Sequence, residues 1–381
     1  MVHKTWLQDH SKPEDDMASF IKNMVKERGK TCVSIIVPTH RVGQDRQGDK
    51  LEIQRAVMTA NQALVNKAGN FLSDIDSLFQ QIDFKRNKEG IGIFVSPGIK
   101  KLVNFPFPVT EKVVVNKFFH LHDLIYTENY GTIYYLLDIS KKEIHFFKGI
   151  MDRLEEIKDE NFPKEIVDNY EYNKPSHSNS GSGYAHVKEV EKDKSIMSQI
   201  RLKKIFRQTD KLLSKYIVTR ETPLLLCGPE KDISIYRSAT KHAENIVSSI
   251  SDNYKGTSIH DLEVLAWLQI RPFIDEQKLK LVNEFKEKRG EGLGVYGIKK
   301  IWTAAKEGRS RVLLVEKDYG KTAFVTTDNR LFFETPEEKD ARYCDVVDEV
   351  VNTVLEKNGK VIVMEKDILE DYERIALITR Y

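Results

Sequence analysis

The chain of 381 residues predicts an α/β protein of three domains, each a mixed α/β unit, and three observations carry that reading. At roughly 150 residues per domain the chain is too long for one ordinary core. Short β-branched runs closed by Gly or Pro alternate with helical patterns throughout, the mark of mixed layers. A long polar stretch near 158–194 interrupts the alternation, and stretches of that length are uncommon inside one compact domain. The boundaries follow: an N-terminal α/β domain over 1–130, a middle domain over 131–258, and a C-terminal α/β/α domain over 259–381.

In the first domain, a short charged helix precedes the strand Cys32–Val37, which Pro38 stops because proline donates nothing to a ladder. A polar loop, Thr39 to Gly48, leads to a helix near 50–68, with strands at Ile91–Val95 and Val113–Val115. The middle domain opens on strands at Ile133–Asp138, Glu143–Lys148 and Arg153–Ile157. After the polar loop 158–194 comes a helix over 195–216, then strands at Thr222–Cys227 and Glu244–Ile250. The last domain reads as a helix from near His260, a helix over 295–307, a strand at Val312–Val315, and a hairpin of Thr322–Thr326 with Arg330–Phe333. A helix over 343–357 and strands at Val361–Met364 and Ile375–Thr379 complete it. No repeat of solenoid period occurs.

Composition narrows function. Sixty basic residues against fifty-eight acidic give a net charge of +2, so the protein does not coat nucleic acid by bulk charge, and RNA contact would come from local patches. The three cysteines, Cys32, Cys227 and Cys344, form no CxxC. That excludes a disulfide framework or a cysteine zinc site and suits a reducing cytosol. Met1 to Asp16 has no apolar run of signal-peptide length and no eighteen apolar residues run together. A cytoplasmic protein without membrane contact is expected.

The helix after the loop carries the clearest signal. At 100° per residue, Leu202, Ile205, Phe206, Thr209, Leu212, Leu213 and Tyr216 fall within about 120° of arc. Lys203, Lys204, Arg207, Lys211 and Lys215 occupy the other side, and Asp210 is the one acidic residue between Lys203 and Lys215; Arg201, Lys204, Arg207, Lys211 and Lys215 are the expected phosphate contacts. Mixed signs are usual on a solvated face; a single sign suits phosphate. After Pro38, Arg41, Gln44, Arg46 and Gln47 offer planar donor forks for phosphates and base edges, with a solvated turn as the alternative.

Other motifs are weaker. Gly292-Leu293-Gly294-Val295-Tyr296-Gly297 matches GxGxxG, with Glu316 at the end of the next strand. A dinucleotide fingerprint needs a strand before its first glycine, and Glu284 to Arg289 reads as a charged helical tail, so capping and close packing are expected. His120-Leu121-His122-Asp123 could present two imidazoles to a metal. No third ligand stands at a diagnostic spacing, and structural histidines are expected. No GxSxG, Walker A, HExxH or paired CxxC occurs, and no cofactor is expected.

The run from Gly294-Val295-Tyr296-Gly297 through Arg309-Ser310-Arg311-Val312-Leu313-Leu314-Val315, with Asn358-Gly359-Lys360-Val361-Ile362-Val363-Met364, resembles the C-terminal domain of archaeo-eukaryotic peptide release factors and Pelota. Tyr134-Tyr135-Leu136-Leu137-Asp138 to Arg153-Leu154-Glu155-Glu156-Ile157 is similar to the start of their middle domain. Ser34 to Thr39 and Phe118 to Ile125 resemble the bacterial branch of that family, which includes a ribosome hibernation factor. The resemblance implies a ribosomal-protein-like fold for the last domain and a three-domain, tRNA-sized factor in the ribosomal A site. It implies rRNA contacts on both subunits, and delivery by a translational GTPase such as elongation factor Tu. Neither Gly-Gly-Gln nor Asn-Ile-Lys-Ser occurs. Ser180-Gly181-Ser182-Gly183 is the nearest equivalent of the release loop and offers no glutamine, so binding without catalysis is expected. Hydrolysis of peptidyl-tRNA by other residues, such as Ser182 or His186, and Pelota-like rescue of stalled ribosomes stay open. The near-neutral total charge is balanced by an acidic surplus at Glu334, Glu337, Glu338, Asp340, Asp345, Asp348 and Glu349.

Overall fold

The computed structural model describes residues 13–40, 46–65, 67, 69–84, 87–139, 143–165, 183–251, 258–326, 329–334 and 342–381, with side chains at 13–16, 46–47, 183–195 and 342–343 outside the description.

Helix α1 (Pro13–Lys26) leads to strand β1 (Cys32–Pro38), then α2 (Arg46–Leu64), α3 (Phe71–Gln80), β2 (Gly90–Val95), β3 (Lys100–Phe105), β4 (Lys112–Asn116) and α4 (His122–Asn129). The strands form one antiparallel sheet in the order β3-β2-β1-β4. Alternate residues share a face of a strand, so Val33, Ile35 and Val37 of β1 join Ile91, Ile93 and Val95 of β2 in one core. Ile53, Ala56 and Ala60 of α2 and Ile75 of α3 complete it. Strand β3 and helix α3 were not anticipated from sequence; β3 opens on Lys100-Lys101, which masks its apolar register.

Strands β5 (Ile133–Asp138), β6 (Glu143–Ile150), β7 (Arg153–Glu156) and β8 (Lys164–Glu165) precede α5 (Gly183–Leu213), β9 (Leu224–Cys227), α6 (Glu230–Arg237) and β10 (Ile246–Ile250). Their sheet runs β10-β9-β5-β6-β7, with β8 against β6. Pairing is parallel from β10 through β9 to β5 and antiparallel from there on. Strand β9 is buried along its whole length, as a parallel central strand should be. The expected loop 158–194 is shorter than read: β8 lies within it, and α5 begins at Gly183.

The chain continues through α7 (Ile259–Gly290), β11 (Gly294–Tyr296), α8 (Ile298–Lys306), β12 (Ser310–Glu316), β13 (Thr322–Val325), β14 (Leu331–Phe332), β15 (Arg342–Asp345), α9 (Val346–Glu356), β16 (Lys360–Met364) and β17 (Ile375–Thr379). One sheet has the order β11-β17-β12-β16 and a second the order β14-β13-β15. The GxGxxG segment follows helix α7 rather than a strand, and its Gly294 opens β11, paired antiparallel to β17. A Cβ at Gly294 would stand 2.7 Å from the backbone nitrogen of Arg289, and Gly297 holds φ at +81° before α8. Glu316 is fully buried and accepts hydrogen bonds from Leu369 N and Arg374 Nε, both at 2.7 Å. The dinucleotide reading therefore fails on geometry, and the glycines serve packing.

By compactness the chain groups into two units, residues 1–131 with 276–381, and residues 132–275. Inside the first unit the two segments are tied by polar contacts. Arg28 donates to Thr353 and Glu349 of α9, Tyr126 and Tyr130 donate to Glu365 at 2.6 and 2.9 Å, and Asn129 accepts from Val363 N at 2.7 Å. Lys278 Nζ donates to Val363 O at 3.0 Å and sits 3.5 Å from the Tyr130 ring centroid, a cation–π contact strengthened by burial.

Candidate nucleic-acid interface

Helix α5 is amphipathic along its described C-terminal half. Phe206, Leu213 and Ile217 enter the core with Leu137, Phe146, Leu224 and Tyr236, while Leu202, Ile205, Leu212 and Tyr216 pack partly buried against it. Thr209 is fully buried, its hydroxyl donating to Ile205 O at 3.1 Å. The opposite face exposes Lys204, Arg207, Gln208, Lys211, Ser214 and Lys215, with Arg201 half-buried. Toward the N-terminus, Ile196, Met197 and Ile200 are exposed.

Asp210 does not dilute that charge. At 100° per residue it falls about 40° outside the apolar arc, at its border, and the fold turns it inward to 3 % exposure. Its carboxylate accepts from Lys241 N at 2.9 Å, from Tyr236 Oη at 3.2 Å, from Thr240, and pairs with His242 Nδ1 at 2.8 Å. Burial pushes this carboxyl up, but the donors from His242, Thr240 and Lys241 more than offset it and hold it below the usual carboxylate range. The acid anchors the 240–242 turn and leaves the solvent face basic. Lys215, one of the five cations predicted for RNA, meets an acid there, Glu160 at 3.1 Å.

Of the other predicted RNA contacts, Arg41 and Gln44 lie outside the described residues. Arg46 and Gln47 open α2, with side chains outside the description. The ends of that loop are fixed by Asp49, a residue the sequence reading passed over. Fully buried, it accepts from His40 N at 3.0 Å, pairs with His40 Nδ1 at 2.7 Å, and is reached by Asn87 Nδ2 at 3.5 Å. Ser180, Gly181 and Ser182 lie outside the described residues, and Gly183 is the first residue of α5.

Residues 133–309 match the sequence model of Bacterial archaeo-eukaryotic release factor family 3. That segment covers a little under half of the chain and contains α5 and its basic face. No curated protein matches the chain. Among solved structures it is similar to the archaeal translation termination factor aRF1 at 13 % identity, covering 97 % of this chain and 98 % of that one with a TM-score of 0.23. It is similar to Archaeoglobus fulgidus Pelota at 13 % identity, covering 97 % and 92 % with a TM-score of 0.37. A third is S. cerevisiae Dom34, a translation termination-like factor interacting with Hbs1, at 12 % identity, 76 % and 73 % coverage and a TM-score of 0.32. Likenesses with scores this low carry no argument of their own. Among the described residues, no helix is long and apolar enough to cross a membrane.

Proposed function

We propose that the protein is a ribosome-binding translation factor that occupies the A site and protects idle ribosomes, a hibernation factor of the Balon kind without peptide-release chemistry. The observation that carries this reading is the single-signed outer face of the C-terminal half of α5, which lies inside the matched segment. Lys204, Arg207 and Lys211 project from one side of a rigid helix whose other side is locked in the core. Cations so placed release counterions from rRNA on docking, so binding falls steeply with salt, and they fix position rather than read sequence. In this arrangement the loop after β1 approaches the decoding centre and the segment around Ser180-Gly181-Ser182-Gly183 the peptidyl-transferase centre. The factor-binding side falls to the C-terminal segment, where elongation factor Tu is the proposed delivery partner.

Co-sedimentation with vacant 70S ribosomes tests it. Reversal of Lys204, Arg207 and Lys211 to Glu should weaken binding at least tenfold and flatten its salt dependence while leaving thermal stability unchanged, because the apolar face is untouched. Unchanged sedimentation of the triple reversal would remove α5 as the rRNA contact. A second measurement addresses chemistry. Ester hydrolysis at the peptidyl-transferase centre depends on a positioned water and preorganised donors, and no Gly-Gly-Gln stands here to supply them. Ribosomes carrying labelled peptidyl-tRNA and an empty A site should show no release above background. Release lost on Ser182→Ala or His186→Ala would make the protein a hydrolase.

A further inference from the structure

The sequence reading of His120-Leu121-His122 lacked a third ligand. The fold supplies one from 228 residues away. Asp348, in the first turn of α9, meets both imidazoles: its carboxylate lies 2.8 and 2.9 Å from His120 Nδ1, and its Oδ1 lies 3.0 Å from His122 Nδ1. The two rings stack at 4.9 Å between centroids with 22° between planes. One donor atom from each of the three residues falls within 4.8 Å of the others. All three are buried, at 2 %, 5 % and 4 % exposure.

A hydrogen-bonded ion pair accounts for His120 and Asp348. It does not account for His122. Neither nitrogen of that ring makes a hydrogen bond, and the approach of Nδ1 to Asp348 misses hydrogen-bond geometry; His120 Nε2 is unpartnered too. Buried polar groups are nearly always satisfied, and exceptions call for a ligand or an ion. An apolar side chain of the same bulk would fill the space of His122 without that cost.

We propose that His120, His122 and Asp348 form a binding site for a divalent first-row transition-metal ion, with zinc the foremost candidate. Two imidazole nitrogens and one carboxylate oxygen are the donor set that such ions take, and hard oxygen-seeking cations do not. Tetrahedral zinc with bonds of about 2.0–2.1 Å sets neighbouring donors about 3.3 Å apart, close to the 2.8–3.0 Å separations to Asp348. Metal-bound histidines commonly direct the second ring nitrogen at a carboxylate; here Asp123 Oδ2 stands 3.9 Å from His120 Nε2. Three protein ligands leave one position for water. The ion ties the segment before α4 to α9, so its function is to fasten the N- and C-terminal segments of the first compact unit.

The test uses the full-length, tag-free protein freed of metal and titrated with Co²⁺, then with Zn²⁺. One equivalent of cobalt should bind with the visible spectrum of a four-coordinate nitrogen–oxygen site, zinc should displace it, and saturation should raise the Tm by about 5 °C or more. His122→Leu, which removes no hydrogen bond, should fold and lose the cobalt spectrum. Absence of binding by the wild-type chain, or binding unchanged in His122→Leu, overturns the site. Should that variant not fold, X-ray absorption of the zinc-loaded wild type decides. A first shell with two imidazole nitrogens sustains the proposal, and one without imidazole ends it.

Discussion

Helices α5 and α9 are both rich in charge, and the fold uses that charge in opposite ways. On α5 the cations face solvent, and the one acid between Lys203 and Lys215 is turned inward. In the first turn of α9 the acids are buried: Asp348 against His120 and His122, and Glu349 between Lys306 Nζ at 2.9 Å and Arg28 Nη2 at 3.4 Å. From sequence, Asp348 and Glu349 fall in the acidic surplus that balances the basic face. The fold holds them at 4 % and 1 % exposure. Charges in a run say nothing of which way they face until the partners are known.

The comparison breaks first at Asp348. Burial pushes its carboxyl up, but the charges of His120 and His122 and the hydrogen bonds from His120 prevail and hold it far below the usual range. Asp348→Ala strands those imidazoles in a dry site, and removing one partner of a buried pair typically costs about 3–5 kcal/mol. Urea unfolding should show a loss of that size. A loss under about 1 kcal/mol would place the α9 charges in the same class as the exposed charges of α5.

Asp210 comes next, a buried acid on the otherwise exposed-cation helix. Asp210→Asn keeps the shape but loses the charge-assisted bonds to His242 and Lys241 N, at a cost of about 1.5–3 kcal/mol. The pH dependence has a definite sign. A carboxyl whose folded pKa is depressed stabilises the native state above its unfolded value of about 3.9, and that contribution is lost as pH falls through the lower folded value. The wild type should therefore lose stability below about pH 4 more steeply than Asp210→Asn. Parallel acid limbs in circular-dichroism melts of the two proteins would show that Asp210 does not anchor the turn.

What could be read in advance follows from the range of each interaction. The apolar arc of α5 was legible because Leu202, Ile205, Phe206, Leu212, Leu213 and Tyr216 carry a local period of 3.6. Strand β1 was legible because Pro38 ends a β-branched run. The start of α5 at Gly183 was not, since glycine and serine before it signal a loop and no apolar period opposes them. Asp348 and Asp210 were illegible for a different reason. Their partners lie 228 and 32 residues away, and nothing in a local window shows that a carboxylate will be met by imidazoles from another element.

The smallest expected effect is also the most discriminating for the basic face. Lys215, in the turn that follows α5, is a predicted RNA-facing cation already paired in the described structure, with Glu160; the two side chains are 56 % and 79 % exposed. An exposed pair of this kind contributes about 0–1 kcal/mol, so Glu160→Gln should change unfolding stability by no more than about 0.5 kcal/mol. Its effect on ribosome binding has a sign. Lys215 held by Glu160 exchanges an acid for a phosphate on docking, whereas Lys215 left free by Glu160→Gln displaces a counterion outright. The variant should bind vacant ribosomes modestly tighter, with a steeper salt slope by up to about one phosphate contact. Lys204→Ala, whose ammonium is exposed, should move the slope the other way by about the same amount. If Glu160→Gln weakens binding or leaves the slope unchanged while Lys204→Ala lowers it, the contact ends before the turn that follows α5 and Lys215 does not reach rRNA.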